Sequence, residues 1–194
     1  LLRIDHFRGL AAFWAVRSAA RTARDGHWIA APGHRLLHAA TAALPQLELV
    51  AEDLGVITPD VVALRRAFGL PGMRVLQFAF DGDPTNPHLP HHHERDSVVY
   101  TGTHDNDTTV GWYAGLSDTA RDRVRRYLAR PDEDVVEALR RAALGSVAQL
   151  AVLPAQDILH LGREARLNTP GTVTGNWSWR MPEGALHGDL ASRY

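Results

Sequence analysis

The chain has no cysteine. Disulfide bonding and thiol catalysis are therefore excluded, and a cytoplasmic location becomes the expectation. No apolar run approaches the roughly 18 residues that cross a bilayer, and no basic-then-apolar leader precedes the first strand-like run, so no membrane association is expected. Neither sign of charge dominates: 21 basic residues stand against 22 acidic ones, well mixed, for a net charge of −1. That balance argues against a nucleic-acid surface and against a polybasic membrane patch. A metal-binding spacing is missing as well. His91, His92 and His93 are neighbours that point in different directions, and no acidic or Cys cluster completes a set, so a solvated loop is expected there. Aromatic residues make up only 7% of the chain, few enough to weigh one by one.

What is present is 194 residues, 45% hydrophobic and 22% charged. That suffices for a sizeable core and falls short of the ~250 residues of a complete (β/α)8 barrel. Strand-like runs at 1–5, 47–52, 74–80, 97–103 and 147–153 alternate with helix-like stretches at 9–20, 33–43, 59–68, 117–129 and 133–145. The alternation predicts an α/β fold with a parallel sheet in one domain. Thr58 with Pro59 makes a helix start, and Ser117 and Asp132 are candidate caps for the two charged helices. The long irregular loop from Phe80 to Pro90, with Asp83 and Asn86, belongs on the working face of such a fold.

Three acidic groups stand at the ends of strand-like runs: Asp5, the pair Glu52-Asp53, and the Thr103-His104-Asp105-Asn106-Asp107 stretch. Arg3 and Asp5 are two apart, so on a strand both side chains point to one face. Cleaving a glycosidic bond with retention needs a carboxylate nucleophile and a second carboxyl as acid/base, ~5–5.5 Å apart. Asp5 suits the nucleophile because Arg3 would hold it ionised. Glu52 suits the acid/base, since burial beside other carboxylates would keep it protonated. Asp105 would stabilise the positive charge of the transition state, and His6 and His104 suit sugar hydroxyls. One acidic strand end alone is as well explained by a helix cap or a surface ion pair. Three together, each after a strand-like run, argue for the α/β barrel with glycosidic chemistry.

Among the aromatic residues, Phe80 and Trp112 are expected in the core. Phe78 alternates with Phe80, so both would point the same way on a strand, and Phe78 is retained as an acceptor-side candidate. Trp177 and Trp179 are read as structural, and Arg121, Arg123, Arg125 and Arg126 as a solvated helix face.

The runs Arg3-Ile-Asp-His-Phe-Arg-Gly9, Ala51-Glu-Asp-Leu-Gly-Val-Ile-Thr-Pro-Asp60, Gly69-Leu-Pro-Gly-Met-Arg-Val-Leu-Gln-Phe-Ala-Phe-Asp-Gly-Asp83, Thr103-His-Asp-Asn-Asp-Thr-Thr109 and Gly175-Asn-Trp-Ser-Trp-Arg180 together resemble the 4-α-glucanotransferases of glycoside hydrolase family 77, the amylomaltases or disproportionating enzymes. The resemblance covers nearly the whole chain. It implies a (β/α)8 TIM barrel of the α-amylase type, of which residues 1–194 would be a partial catalytic barrel holding about strands four to eight, with the N-terminal strands and insertions absent. It implies Asp5 as nucleophile, Glu52 as general acid/base and Asp105 as transition-state stabiliser, with Arg3, His6, His104, Asn106 and Phe78 as substrate-binding partners. The implied substrates are maltooligosaccharides and starch or glycogen-type α-1,4-glucans, with no metal or organic cofactor in the chemistry. The family usually has proline where Arg17 stands, and its chain usually continues somewhat past Tyr194.

Strands missing from a barrel leave open sheet edges and an uncovered apolar face, so self-association and little or no activity are expected of this chain alone. Two rivals stand beside transfer: hydrolysis of α-glucans by the same three carboxylates, and a non-catalytic glucan-binding fragment.

Overall fold

A computed structural model describes residues 1–129 and 132–191. The residues fall into two units, Leu1–Met73 with Asp96–Val98, and Arg74–Arg95 with Val99–Tyr194. The expected span 1–194 therefore includes five residues, 130, 131 and 192–194, that lie outside the described ones.

In the first unit, β1 (Leu2–Ile4) and β4 (Leu49–Ala51) pair in parallel, with Leu2 opposite Leu49, Arg3 opposite Val50 and Ile4 opposite Ala51. All three β4 side chains are buried, as the unbroken apolar run Leu-Val-Ala requires of a strand covered on both faces. Parallel strands need a crossover, and α1 (Gly33–Ala43) supplies it within the expected bounds. Leu37 of α1 packs with Phe7, Leu49, Ala51, Val61, Leu64 and Leu70 into one core cluster. Each fully buried side chain of this size contributes about 1.5–3 kcal/mol. The second helix, α2 (Pro59–Ala67), starts where Thr58-Pro59 predicts, with Pro at the first position and extended backbone at Thr58, but Thr58 makes no side-chain cap hydrogen bond.

The stretch 9–20 is not a helix. A 3-10 turn at Phe7–Leu10 leads into β2 (Ala12–Val16), which pairs antiparallel with β3 (Gly26–Ala30). Alanine at 11, 12 and 15 lends this stretch helix propensity, but Phe13, Trp14 and Val16 fit a pleated surface once partners exist. His27-Trp28-Ile29 provides them: Trp14 lies opposite Trp28 and Phe13 opposite Ile29. Cross-strand aromatic pairing outweighs local propensity.

β5 (Gly72–Val75), β6 (Ser97–Tyr100) and β7 (Leu150–Val152) form a three-stranded sheet in that order, and both β5 and β6 begin in the first unit and end in the second. Strands appear at four of the five expected places, each shortened, while β5 is displaced and shares only residues 74 and 75 with the expected 74–80 run. β5 stops at Val75 and gives way to a 3-10 turn at Leu76–Phe78. Phe78 and Phe80 consequently do not share a strand face: Phe78 is 43% exposed and Phe80 is buried.

The second unit's core gathers Leu76, Phe80, Leu89, Val99, Val124 and Leu139, with Trp112, Tyr113 and Tyr127 packed against it. Phe80 and Trp112 are core residues, as expected. Three helices cover this core: α3 (Thr109–Gly115), α4 (Asp118–Leu128) and α5 (Val135–Leu144). Thr108 Oγ accepts the Gly111 amide and Ser117 Oγ the Ala120 amide, both as N-caps. At α5 the cap is Asp134 rather than Asp132, its carboxylate accepting from the Val136 and Glu137 amides. Two short helices, α6 (Ala155–Ile158) and α7 (Gly188–Ala191), complete the described α-helices.

The histidine run is only partly a solvated loop. His91 and His92 are exposed, but His93 is 7% exposed, its ring bonded to Ser146 Oγ and the His88 carbonyl. Among the described residues, no group of three or more His, Cys, Asp or Glu side chains could hold a metal ion, and no helix is long and apolar enough to cross a membrane.

Candidate active site

Parallel register decides what happens at the ends of β1 and β4. Because Ile4 sits opposite Ala51, the next residues, Asp5 and Glu52, emerge side by side at the C-terminal edge. Backbone bonds fix that level: the Glu52 amide donates to the Ile4 carbonyl at 3.0 Å, and the Phe7 amide to the Glu52 carbonyl at 3.2 Å. Arg3 Nη2 reaches Asp5 Oδ1 at 2.8 Å, the ion pair that the two-residue spacing predicts. Asp5 is open to solvent while Arg3 is mostly covered, its Nε donating to Met73 Sδ at 3.2 Å. The nucleophile candidate is accessible and its guanidinium partner is anchored.

Glu52 is half-buried, and burial pushes its carboxyl above the usual carboxylate range. Opposing this are the Leu54 and His6 amides, which donate to Oε1 at 3.1 Å and Oε2 at 2.6 Å, and the nearby Arg3 charge, while Asp5 adds to the rise. A carboxyl held toward its protonated form beside an exposed carboxylate is what acid/base catalysis requires. His6 takes part through its backbone; its residue adopts the left-handed conformation at φ 49°, turning the chain back over Glu52.

The neighbouring Asp53 does something else. It points away from Glu52's partners, accepting the Met73 amide at 2.7 Å and facing the buried Arg65 at 3.3 Å. A Cβ at residue 72 would overlap this carboxylate, so only glycine fits there. Of two consecutive acids, one faces the candidate chemistry and the other braces the strand.

In the second unit, Asp105 sits in a loop after β6 and is about half exposed. A distant segment holds it: Asn168 Nδ2 donates to Oδ1 at 2.5 Å, Arg166 Nη2 donates to the Asp105 carbonyl at 2.7 Å, and the Asn168 amide donates to the His104 carbonyl at 3.2 Å. His104 Nε2 lies 3.5 Å from the same carboxylate oxygen, and its ring packs on Trp177 at 5.2 Å between centroids. Trp177, read as structural in preference to binding, is 53% exposed with φ 60°. Asn106 turns inward, its Oδ1 accepting from the Thr103 amide and hydroxyl at 2.9 and 2.8 Å. Asp107 is paired with Arg163 at 2.7 Å. Phe78 stands on its 3-10 turn with its ring edge-on to His88 at 5.5 Å. Asn86, in the loop read as the working face, donates to the Phe78 carbonyl at 2.8 Å.

Sequence reasoning missed Arg166, Asn168 and Met73. The first two lie about 60 residues from the acid they hold, and only the Asn168-Thr-Pro-Gly171 turn signal marked that segment as a loop.

Comparisons with known proteins identify the family. The family model described as 4-alpha-glucanotransferase matches residues 1–186. A chloroplastic/amyloplastic 4-alpha-glucanotransferase of Arabidopsis thaliana is 51% identical over 189 residues, covering 97% of this chain and 33% of the relative. A 4-alpha-glucanotransferase of Thermus thermophilus is 49% identical over 201 residues, covering 100% of this chain and 40% of the relative. The amylomaltase of Streptococcus agalactiae, solved in complex with acarbose, superposes with a TM-score of 0.91 at 34% identity over 98% of this chain and 39% of that one. The fold is accordingly that of the α/β TIM-barrel class. The chain spans about a third to two fifths of the length of the curated relatives it matches, and it belongs to the 4-alpha-glucanotransferase family.

Proposed function

We propose that this chain supplies the C-terminal part of a (β/α)8 catalytic barrel, about strands four to eight, in an enzyme that transfers segments of α-1,4-glucans by double displacement with retention. Asp5 attacks the anomeric carbon while Glu52 gives its proton to the leaving glycosidic oxygen. A covalent glucosyl-enzyme ester on Asp5 results. The 4-hydroxyl of a second glucan or of glucose then loses its proton to Glu52 as its oxygen displaces Asp5, which leaves as the carboxylate. Asp105 stabilises the oxocarbenium-like charge, and Arg3, His6, His104, Asn106 and Phe78 bind sugar hydroxyls and faces. The substrates are maltooligosaccharides and starch or glycogen-type glucans, and the steps need no cofactor.

The observation that carries this reading is the level pairing of an arginine-held, exposed Asp5 with a half-buried Glu52 on adjacent parallel strands. Relatives named 4-alpha-glucanotransferase in plants and bacteria support it, as does the acarbose complex of the Streptococcus agalactiae amylomaltase. The names of the plant relatives assign them to chloroplasts or amyloplasts, so a cytoplasmic location is proposed for a bacterial-type host only. Self-association through the edge strands β1 and β7 belongs to the same proposal, although each edge is only three residues long.

The test is maltotriose disproportionation, followed by chromatography of glucose and longer oligomers. It is run on the chain alone and on the chain mixed with a polypeptide carrying the remainder of a relative, outside the matched 33–40%. Longer glucans that disappear with Asp5→Asn are the expected result of the mixture, with little or none from the chain alone. Products insensitive to Asp5→Asn would overturn the nucleophile assignment; none from either preparation would leave the family standing and locate the deficit in the missing strands.

A further inference from the structure

The hairpin that leaves the β1 end carries an unusual surface. Trp14 and Trp28 lie opposite each other on β2 and β3, so both indoles emerge on one face. They meet edge to face at 5.4 Å and 69°, and they remain 40% and 52% exposed. Exposed aromatic side chains are ordinarily free to rotate, yet both of these are fixed by polar contacts. Trp14 Nε1 donates to the Ala23 carbonyl at 2.7 Å. The Arg8 guanidinium lies 4.4 Å over the Trp28 ring, and Arg8 Nη1 is itself bonded to the Val56 carbonyl. The backbone makes room as well: a Cβ on Gly26 would come within 2.5 Å of both the Ala15 carbonyl oxygen and the Trp14 indole nitrogen, so this residue must be glycine.

From this geometry we infer that Trp14, Trp28 and Arg8 form a preorganised platform for an α-1,4-glucan chain, separate from the catalytic carboxylates. The inference rests on the transferase reading for the choice of sugar. Its physical basis is independent. Pyranose rings present an apolar C–H face that packs on an aromatic plane, and a guanidinium offers fixed donors to the hydroxyls around it. Two indoles at a steep angle, bordered by such donors, match a chain whose successive sugars turn relative to one another. Indoles and arginines are also enriched at protein contacts, so the oligomeric state is read alongside binding. Because the rings are already held in place, little side-chain entropy is lost on binding. The platform is joined to Asp5 through a single 3-10 turn, Phe7–Leu10, so a glucan held here stays tethered near the reacting strand end.

The experiment titrates the 194-residue chain with maltoheptaose and with maltotriose, by tryptophan fluorescence and by calorimetry. Maltoheptaose is expected to bind and to change the indole emission, with maltotriose clearly weaker. Trp28→Ala should weaken maltoheptaose about tenfold and Trp14→Ala about fivefold or more, the range for loss of an aromatic stacking contact. Trp14→Phe and Trp28→Phe, which keep an aromatic plane and the hairpin, should fall in between. Arg126→Ala, on the exposed face of α4, should change maltoheptaose affinity by less than about twofold, on the same scale.

No maltoheptaose binding by the parent chain, or affinity unchanged in the Trp variants, would overturn the platform. So would Trp variants that alter only the oligomeric state on gel filtration, since the face would then be a protein contact. None of these outcomes bears on the Asp5-dependent disproportionation assay, so the two readings fail separately.

Discussion

Asp5 with Glu52 and Asp105 are the same kind of residue in similar strand-end positions, and they are held in opposite ways. The first two are set by the backbone: register between β1 and β4 puts them level, and amides from residues 6 and 54 orient Glu52. Asp105 stands in a loop and is set by side chains from a segment about 60 residues on. Backbone placement is insensitive to the identity of neighbouring side chains, whereas side-chain placement can be undone by one substitution. The difference says where each carboxylate is vulnerable.

The largest effect is expected at Glu52. In an active preparation, Glu52→Gln should lower transfer by about 10²–10⁴-fold, the range of a lost acid/base group. Its effect on stability should run the other way. Burial raises the folded-state pKa of Glu52 above its unfolded value, so the ionised form is disfavoured in the folded chain and stability falls as pH rises from about 4.5 through that raised pKa. At neutral pH Glu52→Gln removes that penalty, and the variant should melt at the same temperature as the parent or higher, by calorimetry. A large loss of stability would break the claim that this site is held by its backbone.

The second expectation concerns the other unit. His88 accepts the Val75 amide at 3.1 Å at the end of β5, and burial pushes its pKa down from 6.5 to about 4. The folded state therefore holds His88 neutral while the unfolded chain takes a proton, so stability should fall as pH drops from about 6.5 to about 4. The loss reaches on the order of 3 kcal/mol if the whole shift is realised. Urea midpoints across this range should fall in the parent and more gently in His88→Gln.

A smaller effect sharpens the contrast directly. Asn168→Ala should reduce transfer by about tenfold to a hundredfold by freeing the Asp105 carboxylate, with KM nearly unchanged. Because Asp105 and Asn168 border solvent, the melting temperature should barely move. Equal sensitivity on replacing the side chain that anchors Arg3, by Met73→Leu, would erase the distinction between the two modes of support.

The same distinction explains what was legible in the sequence. The Arg3–Asp5 pair and the acidic β4 end follow from strand periodicity, which depends on neighbours two residues apart. The starts at Thr58-Pro59 and Ser117 follow from local capping rules. The hairpin did not show itself because its evidence is split between Phe13-Trp14 and Trp28-Ile29, and alanine between them mimics a helix. Phe78 and Phe80 read as one strand face because nothing in Leu76-Gln-Phe78 announces that β5 ends at Val75 and tightens into a 3-10 turn. Asp134 displaced Asp132 as a cap by two positions, which is within the slack of any local rule. Asn168 and Arg166 were invisible for a different reason: their partners are distant in the chain, and no periodicity links a side chain to a loop it will reach only after folding.

The back-to-back placement of Glu52 and Asp53 has a consequence for how this chain can vary. Consecutive residues leave a strand end on opposite sides, so a single residue gained or lost between Leu49 and Glu52 would exchange their directions. The brace would turn toward Asp5, and the proton donor would be driven against Gly72 and Arg65. A substitution at either position removes one role, but a length change inverts both. Histories of such a segment should therefore be written in replacements and not in gaps, and a library built to explore it should hold its length fixed.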